Sequence, residues 1–262
     1  MTMRKFYCRL VVTMFILCVA VIAGNSMGVV KASKVYQEHW TYELINGDSE
    51  VKILMYNDPT VTELVIPSRI EGKPVTQIGE QAFSWYEDGI YFTNLEKVTI
   101  PEDVKSIGEK AFYNCIKLES VNLPESVKSI DFWAFRGCTN LTGIDISNVT
   151  SLGGGAFADC SSLTSVEIPK SVYFISDKNP FADCSSLETI NVAEDNDGGF
   201  IGNSNALIRM LGEGENEEID AIIFSRCKNT VIPESLSRIE INDYAFSGCT
   251  GLKSIPFEKI KK

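Results

Sequence analysis

Histidine is nearly missing from this chain of 262 residues: His39 is the only one. Nucleophile–base schemes that pass a proton through imidazole have no second candidate, and no partner is implied for His39, near Trp40 and Tyr42. No Cys-x-x-Cys pair occurs, so the usual cysteine–histidine metal sites have no ligand set. Long apolar runs are also lacking. The longest, residues 10–23, is broken only by Thr13 and is short for a spanning helix. Basic residues are scarce too, with 24 Lys and Arg against 35 Asp and Glu, a net charge of −11. Four of the basic residues (Arg4, Lys5, Arg9 and Lys31) lie in the first 32 positions, which hold no acid, so the remainder stands at −15. A field of that sign repels nucleic acid and anionic membrane.

What the first 32 residues do contain is a secretory leader: a basic start, an apolar core and small residues after it. Cleavage fits after Ala23 or after Ala32, with an uncleaved anchor as the alternative. Cys18 lacks the small residues that a lipidation box needs before it. The expectation is export, and no membrane-spanning segment once the leader is removed.

Downstream, one pattern dominates. Its clearest copy is Ile-Pro-x-x-Val-x-x-Ile-Gly-x-x-Ala-Phe-x-x-Cys-x-x-Leu-x-x-Val-x, residues 100–122. The Ala-Phe pair recurs at Phe83, Phe112, Phe135, Phe157 and Phe246, with Pro180-Phe181 as a variant; successive spacings are 29, 23, 22, 24 and 65. A period near 23 predicts one small unit stacked many times. In each unit Leu-x-x-Val-x-Ile/Leu-Pro reads as a short strand ended by its proline. Val104 and Ile107 read as a second inward pair, and Ala111-Phe112 as a tight helical turn dropping Phe into the core. Parallel strands from successive units, about 4.8 Å apart, predict a slightly curved rod or horseshoe.

Cysteine follows the same period. Cys115, Cys138, Cys160, Cys184 and Cys249 each lie three residues after a signature Phe, which predicts a column of free, buried thiols, not a disulfide framework. Cys8 and Cys18 fall in the leader, and Cys227 is expected to be the exposed thiol. The chain divides into a leader (1–32), a cap (33–63) and a solenoid (64–262). The cap is a β-hairpin turning at Asn46-Gly47-Asp48-Ser49. Two stretches break the rhythm: an insert at 84–94, and a degenerate, hairpin-bearing coil at about 193–230.

These motifs resemble the BspA-like leucine-rich repeat family over about residues 40–257. The resemblance implies a β-rich α/β solenoid, a right-handed leucine-rich-repeat superhelix or horseshoe of parallel strands with a β-hairpin cap. It also implies a secreted or surface protein without catalytic motif, binding protein or glycan on host or microbial surfaces, as in adhesion. A structural part of a larger envelope assembly is the alternative. Asp and Glu are plentiful enough that paired carboxylates leave an exported carbohydrate-acting enzyme as a third reading. No cofactor and no metal is implied, and no wall-sorting motif of the Leu-Pro-x-Thr-Gly kind occurs.

Two sets of residues are candidate binding positions. Outward strand positions form a polar, mildly acidic face that includes Lys97, Thr99, Asn122, Asp145, Glu167 and Asn191. Aromatics outside the repeat pattern form the second set: Trp85, Tyr91, Phe132, Trp133, Tyr173, Phe174 and Tyr244. Exposed together, they would make an apolar patch fit for a macromolecule. The acidic stretch 194–198 lacks the first and last carboxylates of a calcium loop. Gly153-Gly154-Gly155 lacks the lysine and the strand-to-helix setting of a phosphate loop.

Overall fold

The computed structural model describes residues 34–36, 39–85, 90–176, 178–198, 200–203, 206–211, 220–223 and 238–241. The expected leader, parts of the stretch expected to form a hairpin-bearing coil at about 193–230, Cys227, Tyr244, Cys249 and the last Ala-Phe repeat lie outside them.

The coils carry short strands on two different sides of a dry interior. The first side, here the strand face, pairs Glu63–Val65, Lys97–Thr99 and Ser120–Asn122 in parallel, and separately pairs Ser165–Ile168 with Thr189–Val192. The inner pair of Val and Ile in each coil builds a second sheet. Lys73–Ile78, Ser106–Ile107, Ser129–Ile130, Ser151–Leu152 and Phe174–Ile175 follow one another in parallel. Alternation explains both: every second residue, such as Val98, Val121, Ile107 and Ile130, is buried while its neighbours face outward.

One expected strand is not formed. Residues 141–146, with Ile144 and Ile146, run without a ladder on the strand face. Leu118 to Val127 and Leu163 to Val172 both span nine positions, but Leu141 to Val149 spans eight. That coil has no proline and one residue too few to hold the strand register while also seating Val149 in the core.

The third side of each coil is the turn that delivers Phe. Its backbone alternates between local and inter-coil hydrogen bonds. The amides of Ala111, Tyr113 and Cys115 donate to carbonyls three residues back, whereas those of Lys110, Phe112 and Asn114 donate to Phe132, Ala134 and Arg136 of the next coil. Left-handed residues set this alternation. They precede Ala (Gln81, Lys110, Trp133, Gly155) and follow Phe by two (Asn114, Gly137, Asp159, Asp183), all with φ between 52° and 76°. Asn, Asp and Gly adopt that conformation most readily. It also stops helix propagation, and no helix is formed among the described residues.

Inside, the rings of Phe83, Phe112, Phe135, Phe157 and Phe181 lie one above another. Centroid separations are 4.7, 5.1, 5.5 and 5.7 Å, with interplanar angles of 10° or less. Beside them the thiols of Cys115, Cys138, Cys160 and Cys184 are free and buried. Each donates to a Phe carbonyl one coil back, at 3.9, 3.3, 3.2 and 3.1 Å.

At the leading end, Trp40–Ile45 and Glu50–Tyr56 pair antiparallel, and the second of them continues the second sheet in parallel with Lys73–Ile78. Asn46, Gly47 and Asp48 all have positive φ in the connecting turn. Trp40 and Tyr56 bring their rings to 6.3 and 6.4 Å from Phe83. Phe92, from the 84–94 insert, meets Phe83 edge-on at 5.8 Å. At the far end Phe200–Asn203, Ala206–Leu211, Asp220–Ile223 and Arg238–Ile241 form a separate four-stranded sheet, its last pair parallel.

Candidate binding surfaces

The strand face presents Lys97, Thr99, Asn122, Asp145, Glu167 and Asn191, all exposed. Register aligns Val65, Thr99 and Asn122 in one row and Glu167 with Asn191 in its continuation. Asp145 sits in the interrupted coil. Its carboxylate accepts from the Ser147 amide at 2.9 Å and from the Ser147 hydroxyl. The hydroxyl first, then the amide, hold that carboxyl below its ordinary pKa. Val65 is the large apolar side chain on this face, 70% exposed.

The aromatic set divides. Phe132 and Trp133 stand on the turn edge, half-buried and stacked at 4.4 Å. They lean onto the next coil, where Gly153-Gly154-Gly155 receives them. A Cβ on Gly155 would lie 2.6 Å from the indole, one on Gly154 would lie 3.1 Å from the Phe132 ring, and one on Gly153 would collide with the Asp131–Phe132 peptide. Gly154 and Gly155 are therefore a seat for the two rings, and Gly153 lets the two backbones approach. Cations close the cluster: Arg136 is 4.8 Å and Lys110 5.3 Å from the Trp133 centroid, and Lys178 is 5.1 Å from that of Phe132. Arg136 is in turn paired with Asp159 at 2.8 Å. Tyr113, which the sequence does not single out, links Trp133 to Tyr91 of the insert, at 6.3 and 6.0 Å.

Tyr173 and Phe174 lie elsewhere. Their coil places them in the second sheet, where register puts Phe174 beside Ser151. The same column holds Ser106 and Ser129 in earlier coils, and the Tyr173 amide donates to Thr150 in a column that runs back to Lys128 and Lys105. Where earlier coils carry Lys-Ser, this one carries two aromatics, 58% and 47% exposed. Backbone at Trp85 belongs to the strand Ser84–Trp85. Thus the expected patch is not one surface: an intramolecular cluster occupies the turn edge, and an open pair occupies the second sheet.

Lys105 reaches back to the hairpin, where Glu50 accepts from it, from Thr76 and from Asn46, each at 2.8 Å. Lys105 is the main cause of a lowered Glu50 pKa. Among the described residues no group of three His, Cys, Asp or Glu could hold a metal ion. No helix among them is long and apolar enough to cross a membrane.

Stacked coils with an inward leucine, valine and phenylalanine per turn define a leucine-rich-repeat solenoid. The family model described as BspA type leucine rich repeat region matches residues 76–204 and 215–262 in six copies, and the chain belongs to that family. No curated protein matches it. Solved structures similar to it include the leucine rich repeat protein of T. pallidum, at 29% identity and TM-score 0.54, covering 60% of this chain and 70% of that one. The pneumococcal vaccine antigen PcpA has the same fold at 19% identity and TM-score 0.53, covering 84% and 69%. A leucine rich cell surface protein from Faecalibacterium prausnitzii is 26% identical with TM-score 0.49, covering 87% and 69%.

Proposed function

We propose that the chain is exported by its leader and works outside the membrane or at the cell surface as a non-catalytic adhesion module. It binds another macromolecule, a protein or glycan of a host or microbial surface, without forming a covalent bond. The observation that carries this reading is Tyr173-Phe174, two large rings open to water in a column otherwise filled by Lys, Ser and Thr. Leaving such rings exposed forgoes about 1.5–3 kcal/mol of burial each, and aromatic side chains are the commonest anchors of binding surfaces. Membership of the BspA type leucine-rich-repeat family supports it as well. The hairpin at 40–56 serves as the lid on the leading coil, since it lays Trp40 and Tyr56 against Phe83.

The test is direct. The natural chain and the double variant Tyr173→Ser, Phe174→Ser are presented to purified extracellular-matrix proteins and to bacterial surface glycans. The natural chain should retain at least one ligand, and the variant should lose it with its melting temperature unchanged. Equal capture by the folded variant would remove the pair from the site.

A further inference from the structure

Coil 4, residues 141–162, differs from its neighbours on one side only. On the strand face it lacks a ladder. The Thr142 amide reaches the Glu119 carbonyl at 3.5 Å, and among the described residues the amides of Gly143, Ile144, Asp145 and Ile146 have no backbone acceptor. The carboxylate of Asp145 bonds Ser147 instead, a local closure that competes with strand pairing. Gly143 adds nothing to hold the strand, and a Cβ built there meets no atom within 4 Å. Leu123, Pro124, Val127, Asp145, Asn148 and Val149 line a small recess of about 10 Å³ beside this segment.

The other two sides of the same coil are firmly joined. Ser129 and Ile130 pair with Ser151 and Leu152 in the second sheet. On the turn edge Trp133, Phe135 and Gly137 donate to Gly154, Ala156 and Ala158 at 3.1, 2.8 and 2.8 Å. Phe132 and Trp133 clasp the glycine seat there, with Arg136 bound to Asp159.

We infer that coil 4 is a flexible joint built into the solenoid. The strand face opens and closes at residues 142–147 while the second sheet and the aromatic clasp act as its fixed side. The joint splits the strand face into two rigid plates, residues 63–122 and 165–192. It lets the angle between them change. This goes beyond the binding role proposed above and does not depend on Tyr173 or Phe174.

Hydrogen exchange on the full chain, read by mass spectrometry, tests it. Peptides covering 142–147 should exchange at least about 10-fold faster than those covering 97–100 and 165–168. Spin labels attached at positions 99 and 191 by a cysteine-independent chemistry should give a broad distance distribution. A repaired chain, carrying Gly143→Val and a proline inserted between Ile146 and Ser147, should slow the exchange and narrow that distribution. Uniform exchange along the strand face, or a single narrow distance in the natural chain, would overturn the joint. Both of those readings come from the natural chain, so they decide for or against the joint even where the repaired chain does not fold.

Discussion

Left-handed backbone at Gln81, Lys110 and Trp133 is a cost that the turn accepts because it aims alternate amides at the next coil. For a side chain larger than Asn or Gly, this conformation costs about 1–3 kcal/mol. Gly155 holds the same conformation one coil after Trp133 and also lies under the indole. Gly155→Ala should therefore lower stability by at least about 1–3 kcal/mol, visible as a fall in denaturation midpoint. Deleting a ring from the interior costs more. Phe135→Ala removes a side chain stacked on both sides and should cost about 3–5 kcal/mol in the same assay. Position Phe+2 reads Asn, Gly, Asp and Asp in four described coils, so the left-handed site is visible in the sequence once one asks which residues tolerate positive φ.

The thiol column follows from burial. Desolvation pushes the pKa of Cys115, Cys138 and Cys160 upward, and neighbouring thiols add to it for the latter two. Tyr56 is raised as well, first by burial and then by Asp58. Groups raised on folding stabilise fully below their unfolded pKa, near 9 for the thiols and 10 for Tyr56. That stability is lost as pH climbs above those values, because only the unfolded chain ionises freely. Stability should thus be flat through neutrality on their account and fall above about pH 9. At pH 8 iodoacetamide should leave the peptides containing Cys115, Cys138, Cys160 and Cys184 unmodified, and should modify all four in guanidinium; modification of the native chain would place those thiols at the surface.

Elements that repeat with the period are legible in the amino-acid sequence. Phe and Cys at spacings of 22 to 24 announce their columns, and the second inward pair announces the second sheet. Asn46-Gly47 between alternating segments announces the hairpin. The interrupted strand is harder to see, although the spacing of 22 between Phe135 and Phe157 marks it. A one-residue loss shows its effect only when both the strand register and the position of Val149 are compared with neighbouring coils. The fate of Phe132 and Trp133 is hidden for a related reason. Their seat, Gly154 and Gly155, comes about one period later, and only stacking brings the two together.

On the scale of the whole molecule, the array is a single interior shared by coils that could not stand alone. One coil has two open faces, which its neighbours cover; at the leading end the rings of Trp40 and Tyr56 lie 6.3 and 6.4 Å from Phe83. Stability then resides in interfaces between adjacent coils, with little direct coupling between distant ones. Surfaces are free to diverge while that interior is kept. The strand face is polar and carries the joint, the turn edge commits its aromatics to a clasp, and the second sheet leaves Tyr173 and Phe174 open.

Double-mutant cycles on the phenylalanine column measure that shared interior most directly. Phe112→Leu with Phe135→Leu removes an adjacent stacked pair, 5.1 Å apart, whereas Phe83→Leu with Phe181→Leu removes the two ends. Adjacent rings should couple by about 0.5–1.5 kcal/mol, and the end pair should be additive to within about 0.5 kcal/mol. Additivity in the adjacent pair would contradict a continuous core and, with it, the coil-by-coil account of this chain.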